Sequence, residues 1–250
     1  MASVSSRIKS TKQPRGGYIN PKELTVTNLN DGVVLASNEN IHSSLVGLVV
    51  DYMTRFKMGT PAHIAFSVSL KGAMIAKEDN HARDLVSGIS DLDDKSIINA
   101  CKLVGFDVCF RQGMALYCPV QEIQPDLLTI ANIRTMINRS VLFFKQYGPV
   151  IKDGFTFEGA YTKLVTSGDG DFLTKDTIFD FKVSENNPIS NNTLQLLMYY
   201  IMGIHSKHKE FKTIKKIGIF NPRLNNVYIL ELSKINPSII EEVSSQVIGY

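Results

Sequence analysis

From Asp126 onward the apolar residues alternate between helical and strand spacing, and that order restricts the fold more than any other feature of the chain. Leu127, Ile130, Ile133, Met136, Ile137, Val141 and Phe144 form one face of a helix, which Tyr147-Gly148-Pro149 stops. Strand-like runs follow at 155–165, 171–174 and 177–183. A helical segment from about Ser190 to His205 comes next, then strands at 216–220 and 227–232. Pro237 sits in the first turn of a last helix, where a missing N–H costs nothing. This order predicts an α/β domain with a mixed β-sheet flanked by helices.

Upstream, residues 40–125 predict a helical lobe. Asn40 or Ser43 can cap a helix whose apolar face runs through Leu45, Val46, Val49, Val50, Met53 and Phe56, and Gly59-Thr60-Pro61 ends it. Further helices are expected at 62–76, near 81–89 and from Asp94, with short strands at 106–111 and 115–118. Residues 1–39 carry Arg7, Lys9, Lys12 and Arg15 with no acid before Glu23, which predicts a basic, flexible tail. The expected division is therefore a tail at 1–39, a lobe at 40–125 and a core domain at 126–250.

Composition narrows the function classes. A chain of 250 residues that is 44% hydrophobic can bury a sizeable core. No run of about 18 apolar residues predicts a membrane span, and the first residues lack the apolar middle of a secretory signal. The formal net charge of +3 does not by itself announce a nucleic-acid binder. Cys101, Cys109 and Cys118 have apolar flanks and form no C-x-x-C pair, so reduced thiols in a cytoplasmic setting are expected. The chain has no phosphate-binding P-loop, no G-x-G-x-x-G and no H-E-x-x-H.

The chemistry concentrates in Gly168-Asp-Gly-Asp-Phe-Leu-Thr-Lys-Asp-Thr-Ile-Phe-Asp-Phe-Lys182. Pairing the two strands about Lys175-Asp176 sets Leu173 opposite Ile178, Phe172 opposite Phe179 and Asp171 opposite Asp180. Side chains alternate faces, so Lys182 shares the face of Asp180. Opposed carboxylates repel unless something compensates. A divalent cation suits them, since Mg²⁺ is held by one or two carboxylates with waters and substrate phosphates. The alternative is a solvent-facing hairpin with charged residues. Against it, Ile178-Phe-Asp-Phe-Lys-Val183 sets Asp180 and Lys182 in a strand of buried character.

Gly168-x-x-Asp171, Asp180-Phe181-Lys182 and Gln195-x-x-x-Tyr199, in that order, resemble the motifs of the PD-(D/E)XK nucleases, specifically the RecB-like branch. The resemblance covers about residues 126–232. It implies a restriction-endonuclease-like core and Mg²⁺- or Mn²⁺-dependent hydrolysis of DNA phosphodiesters, with RNA left open as substrate. Repair, recombination or conflict between host and mobile elements are the settings it suggests. By the same resemblance, Asp171 and Asp180 match metal-binding acids, Lys182 the catalytic lysine, and Gln195 and Tyr199 the supporting helix motif. Relatives often supply another acid. Glu158 is the best substitute here, with Glu122 and His81 as weaker candidates. The basic run 206–216, with Lys207, Lys209, Lys212, Lys215 and Lys216, is the candidate path for nucleic acid. The lobe could take a protein partner. The competing reading is a protein of this fold that binds DNA or a protein and has lost the chemistry.

Overall fold

A computed structural model describes residues 2–250. Its helices are α1 Val4–Ser10, α2 Ser43–Lys57, α3 Ala62–Ala65, α4 Ser67–Ala76, α5 Asp79–Ser87, α6 Asp94–Val104, α7 Asp107–Arg111, α8 Leu127–Tyr147, α9 Ser190–His205 and α10 Pro237–Glu242. Its strands are β1 Thr25–Asn28, β2 Val150–Thr156, β3 Asp169–Thr174, β4 Thr177–Phe181, β5 Lys216–Asn221 and β6 Asn226–Glu231. The chain forms two compact units. One joins residues 1–31 to 144–250, and the other spans 32–143.

The first unit is α/β. Its six strands form one mixed sheet in the order β1-β6-β5-β4-β3-β2. Only β4 and β5 run parallel, as a strand–helix–strand crossover through α9 requires. The sheet has two apolar faces. Phe172, Phe181 and Phe220 stack on one of them with Phe144 from the last turn of α8. On the other, Leu173, Ile178, Ile217, Ile219 and Leu230 pack with Leu194, Leu197, Met198 and Ile201 of α9. Burying large apolar side chains fully contributes about 1.5–3 kcal/mol each, so this double-sided core fixes the sheet on which the site is mounted.

The expected flexible tail is instead part of this unit. Val4, Ile8, Tyr18, Ile19 and Leu24 are buried in the α9-side core. The Val4 amide donates to the Ser167 carbonyl at 2.9 Å, and Arg7 donates to the carbonyls of Val247 and Gln246 at 2.8 and 2.7 Å. Residues 25–28 then pair antiparallel with β6 at the sheet edge. Composition emphasised the charges here, but Val4 and Ile8 stand one helical turn apart and bury together. The first of the three expected core strands is also displaced. It occupies 150–156, and the chain turns at Gly159, whose φ of +88° suits only glycine.

The second unit is helical, with Val46, Val49, Val50 and Met53 of α2 buried alongside Ile97, Ala100, Cys101 and Val104 of α6. The expected strand at 106–111 is helix α7. Asp107 and Arg111 form an i,i+4 ion pair at 3.5 Å, and the buried Asp107 accepts hydrogen bonds from Tyr52 and Ser69 hydroxyls. Residues 114–116 form a single 3₁₀ turn rather than a strand. No helix among the described residues is long and apolar enough to cross a membrane.

Candidate metal and phosphodiester site

The hairpin has the expected register. Phe172 pairs with Phe179 and Leu173 with Ile178, which places the turn at Lys175-Asp176. That turn lacks glycine, and neighbouring segments hold it. The amides of Lys215 and Lys216 both donate to the Asp176 carbonyl, at 2.8 and 3.0 Å, and Thr213 Oγ1 donates to the Lys175 carbonyl at 2.8 Å. Lys216 Nζ lies 3.1 Å from Asp176 Oδ2.

At the other end of the hairpin the two strands part. β4 stays with β5, and the Lys182 amide donates to the Phe220 carbonyl at 3.1 Å. β3 stays with β2. In the fork between them the Phe181 amide donates to Asp171 Oδ2 at 2.8 Å, so a carboxylate takes the place of the missing ladder partner. Strand alternation puts Asp171 with Leu173 and Asp180 with Ile178, on the α9 face of the sheet.

Asp180 is 2% exposed. Lys182 Nζ lies 2.7 Å from its Oδ2, an ion pair whose lysine side chain is 30% exposed. Oδ2 nevertheless makes no aligned hydrogen bond. Burial pushes the Asp180 carboxyl up to about 7. Lys182 opposes that rise, and Asp171 adds to it. The site thus contains a buried acid that two neighbouring charges leave incompletely compensated.

Behind the fork, Gln195 and Tyr199 stand one turn apart on α9. Gln195 Nε2 donates to Tyr199 Oη at 2.7 Å, and that hydroxyl donates to the Asp169 carbonyl at 2.6 Å. Burial, then the charges of Asp180 and Asp171, hold the Tyr199 hydroxyl well above its ordinary pKa. It is therefore a fixed hydrogen-bond donor, pinning the start of β3 two residues before Asp171.

Glu158, the candidate third acid, has partners of its own. Glu158 lies in the turn beyond β2, where Thr156 Oγ1 donates to its carboxylate and His208 Nε2 meets it at 2.6 Å. Those hydrogen bonds, Thr156 first, hold its pKa down to about 2. Lys152 Nζ meets the other ring nitrogen of His208 at 2.9 Å. Glu122 and His81 belong to the unit spanning 32–143. Among the described residues no three His, Cys, Asp or Glu side chains converge as a metal-binding group. The fork does offer a cation two carboxylates, Asp171 and Asp180, the oxygen donors a divalent cation takes together with waters, and Lys182 pairs with Asp180 Oδ2 at 2.7 Å.

The basic run is divided. The Lys207 amide donates to the Glu158 carbonyl at 2.9 Å. Lys209 and Lys212 lie on a 3₁₀ segment, Lys209–Thr213, and Lys215 and Lys216 abut the hairpin turn. Lys216 pairs with Thr177, three residues along β4 from Asp180, or about 10 Å at ~3.3 Å per residue.

Sequence reasoning missed one part of the site. A cleft of about 240 Å³ borders Asp169 and Tyr199, and Ser3, Val4 and Ser5 of the N-terminal segment form one wall. Val4 and Ile8 were the available signal. Gly168 makes the close approach possible: a Cβ there would meet Val4 Cγ2 at 2.6 Å. Comparison with known protein families, curated proteins and solved structures found no match to this chain.

Proposed function

We propose that the chain is a metal-dependent nuclease of the PD-(D/E)XK, RecB-like kind, with a restriction-endonuclease-like core that hydrolyses DNA phosphodiester bonds. The observation that carries this reading is the fork, where Asp171 and Asp180 meet on one face of the sheet with the Lys182 ammonium 2.7 Å from Asp180. Asp171 and Asp180 would hold Mg²⁺ or Mn²⁺, which when bound polarises phosphate oxygens and acidifies water. Lys182, partly exposed beside Asp180, would present its ammonium to a phosphate oxygen or to the attacking water. Tyr199, steadied by Gln195, holds the backbone at Asp169 and so keeps the Asp171 carboxylate in the fork.

The test is cleavage of single- and double-stranded DNA by purified protein with Mg²⁺, with Mn²⁺ and with chelator. Metal-dependent cleavage is expected, with Asp180→Asn and Lys182→Met each lowering it by at least about a hundredfold. Undiminished cleavage in both variants would sink the assignment. Among the described residues no third acid joins Asp171 and Asp180 as a metal-binding group, which favours a second reading, a nuclease-fold protein that binds nucleic acid without cutting it. Binding with no cleavage under either metal would support that reading.

A further inference from the structure

Strand β4 ends at Phe181, yet Lys182 must keep the direction of that strand to meet Asp180. We infer that Asn221 is a positioning residue for Lys182: its side-chain amide continues the β4–β5 pairing past the end of the strand and so holds the ammonium at the fork. This rests on the nuclease reading of the fork and adds to it a residue that acts through Lys182.

Three observations carry the inference. First, residues 182–189, between β4 and α9, lack regular secondary structure, so individual hydrogen bonds must hold them. The Lys182 amide donates to the Phe220 carbonyl at 3.1 Å. A second tie comes from a side chain: Asn221 Nδ2 donates to the Ser184 carbonyl at 2.7 Å. Lys182 therefore has one tie to β5 at its own amide and another two residues on. Residues two apart share a face only while the backbone between them stays extended, so these ties keep Lys182 on the side of Asp180. Second, Asn221 is 1% exposed and held in one orientation. Its Oδ1 accepts from the amides of Arg223 and Leu224 at 3.0 and 3.2 Å, which turns Nδ2 toward Ser184. The position uses both ends of an amide; a carboxylate of the same shape could only accept. Third, Asn221 stands on a fixed base. It pairs with Asn226 at the end of the β5–β6 ladder, and Pro222 favours extended backbone in the residue before it. Asn225 takes the φ of +51° in the turn, and its Nδ2 donates to the Leu29 carbonyl at 2.8 Å. The tie to Ser184 passes the rigidity of this turn to the segment that begins with Lys182. Such precision matters, since a misplacement of about 1 Å can cost a catalytic group about a hundredfold.

The test is a double-mutant cycle on Asn221→Asp and Lys182→Met, read in cleavage and in stability. Aspartate keeps the shape of asparagine and the bonds from Arg223 and Leu224, but it loses the donor and sets an oxygen against the Ser184 carbonyl. With Mg²⁺, Asn221→Asp should lower kcat by about tenfold or more with KM within about twofold of wild type, the mark of a group needed in the transition state. On the Lys182→Met background it should lower kcat by no more than about twofold, because the side chain it positions is already gone. A residue that only held the fold together would cost the same factor in both backgrounds, and that result, or an unchanged kcat, would overturn the inference. Asn221→Ala, which brings no charge, is the second variant and should show the same dependence on Lys182. Tyr228→Phe is the control. The Tyr228 hydroxyl donates to Asn187 Oδ1 at 2.7 Å, so its removal frees the same segment farther from the lysine and should leave kcat within about twofold of wild type. A loss equal to that of Asn221→Asp would also overturn the inference. Urea denaturation of the four proteins of the cycle needs no cleavage. There the change in unfolding constant for the double variant should fall short of the product of the single changes by about threefold or more. Cleavage without coupling sinks only the positioning role, whereas coupling in stability without cleavage sinks only the nuclease reading.

Discussion

Asp180 connects the stability of the fold to its proposed chemistry. In an unfolded chain an aspartate titrates near pH ~3.9. Burial raises this one to about 7, so between those values the folded protein keeps a proton that the unfolded chain has lost. The unfolded state then binds fewer protons, and stability falls as pH rises through the window. The loss for this group is on the order of a few kcal/mol. Asp107, also raised by burial, acts in the same direction, so the informative quantity is a difference between variants. Asp180→Asn should flatten the decline in melting temperature from about pH 4 to about pH 7 in chelator. A slope identical to wild type would show that Asp180 ionises in the fold as freely as in the unfolded chain. Mg²⁺ at the top of the window should stabilise the wild type and not Asp180→Asn, because a cation bound only by the folded state adds to its stability.

At the scale of elements, Gly168 shows how the motif and the N-terminal helix depend on each other. A Cβ at this position would press on Val4 Cγ2, which belongs to a stiff, β-branched side chain that is 1% exposed. Gly168→Ala should therefore destabilise the protein by about 1–3 kcal/mol, the usual cost of overpacking. Adding Val4→Ala should recover part of that loss, as contacting sites are non-additive. Urea denaturation of the four proteins checks this, and strict additivity would count against the contact. The same pair explains what could be read from the sequence. The β3–β4 hairpin was legible because strand alternation and a buried apolar face allow one register only, and Phe172 opposite Phe179 follows from it. The α9 motif was legible because four-residue spacing puts Gln195 beside Tyr199. Helix α1 was not, since its seven residues are too few for a periodic signal and its partners, such as Ser167 and Val247, are far along the chain. Glu158 falls in a run of strand-like residues, but β2 ends at Thr156 and Glu158 opens the turn that Gly159 completes. Helix α7 was obscured because aromatic and β-branched residues favoured a strand, while the Asp107–Arg111 spacing marked a helix.

At the scale of the whole molecule, the question is where a polyanion would lie. A net charge of +3 gives little general attraction, so placement of the individual lysines decides it. Lys182 stands at the fork beside Asp180, and α1 and the cleft adjoin that end of the hairpin. Lys212 and Lys215 belong to the segment that abuts the turn at Lys175-Asp176, and the Lys216 charge there already faces Asp176. A strand bound at the fork alone would leave this end uncovered. Each phosphate contact on single-stranded DNA contributes about 0.7 to the slope of log affinity against log salt. Replacing Lys212 and Lys215 together by glutamine should leave that slope and kcat within error of wild type. A drop of about 1.4, two contacts' worth, would instead lead the substrate from the fork over the hairpin turn. The basic run would then be a binding surface, as its sequence suggested, and the direction of the bound strand would have to be redrawn around it.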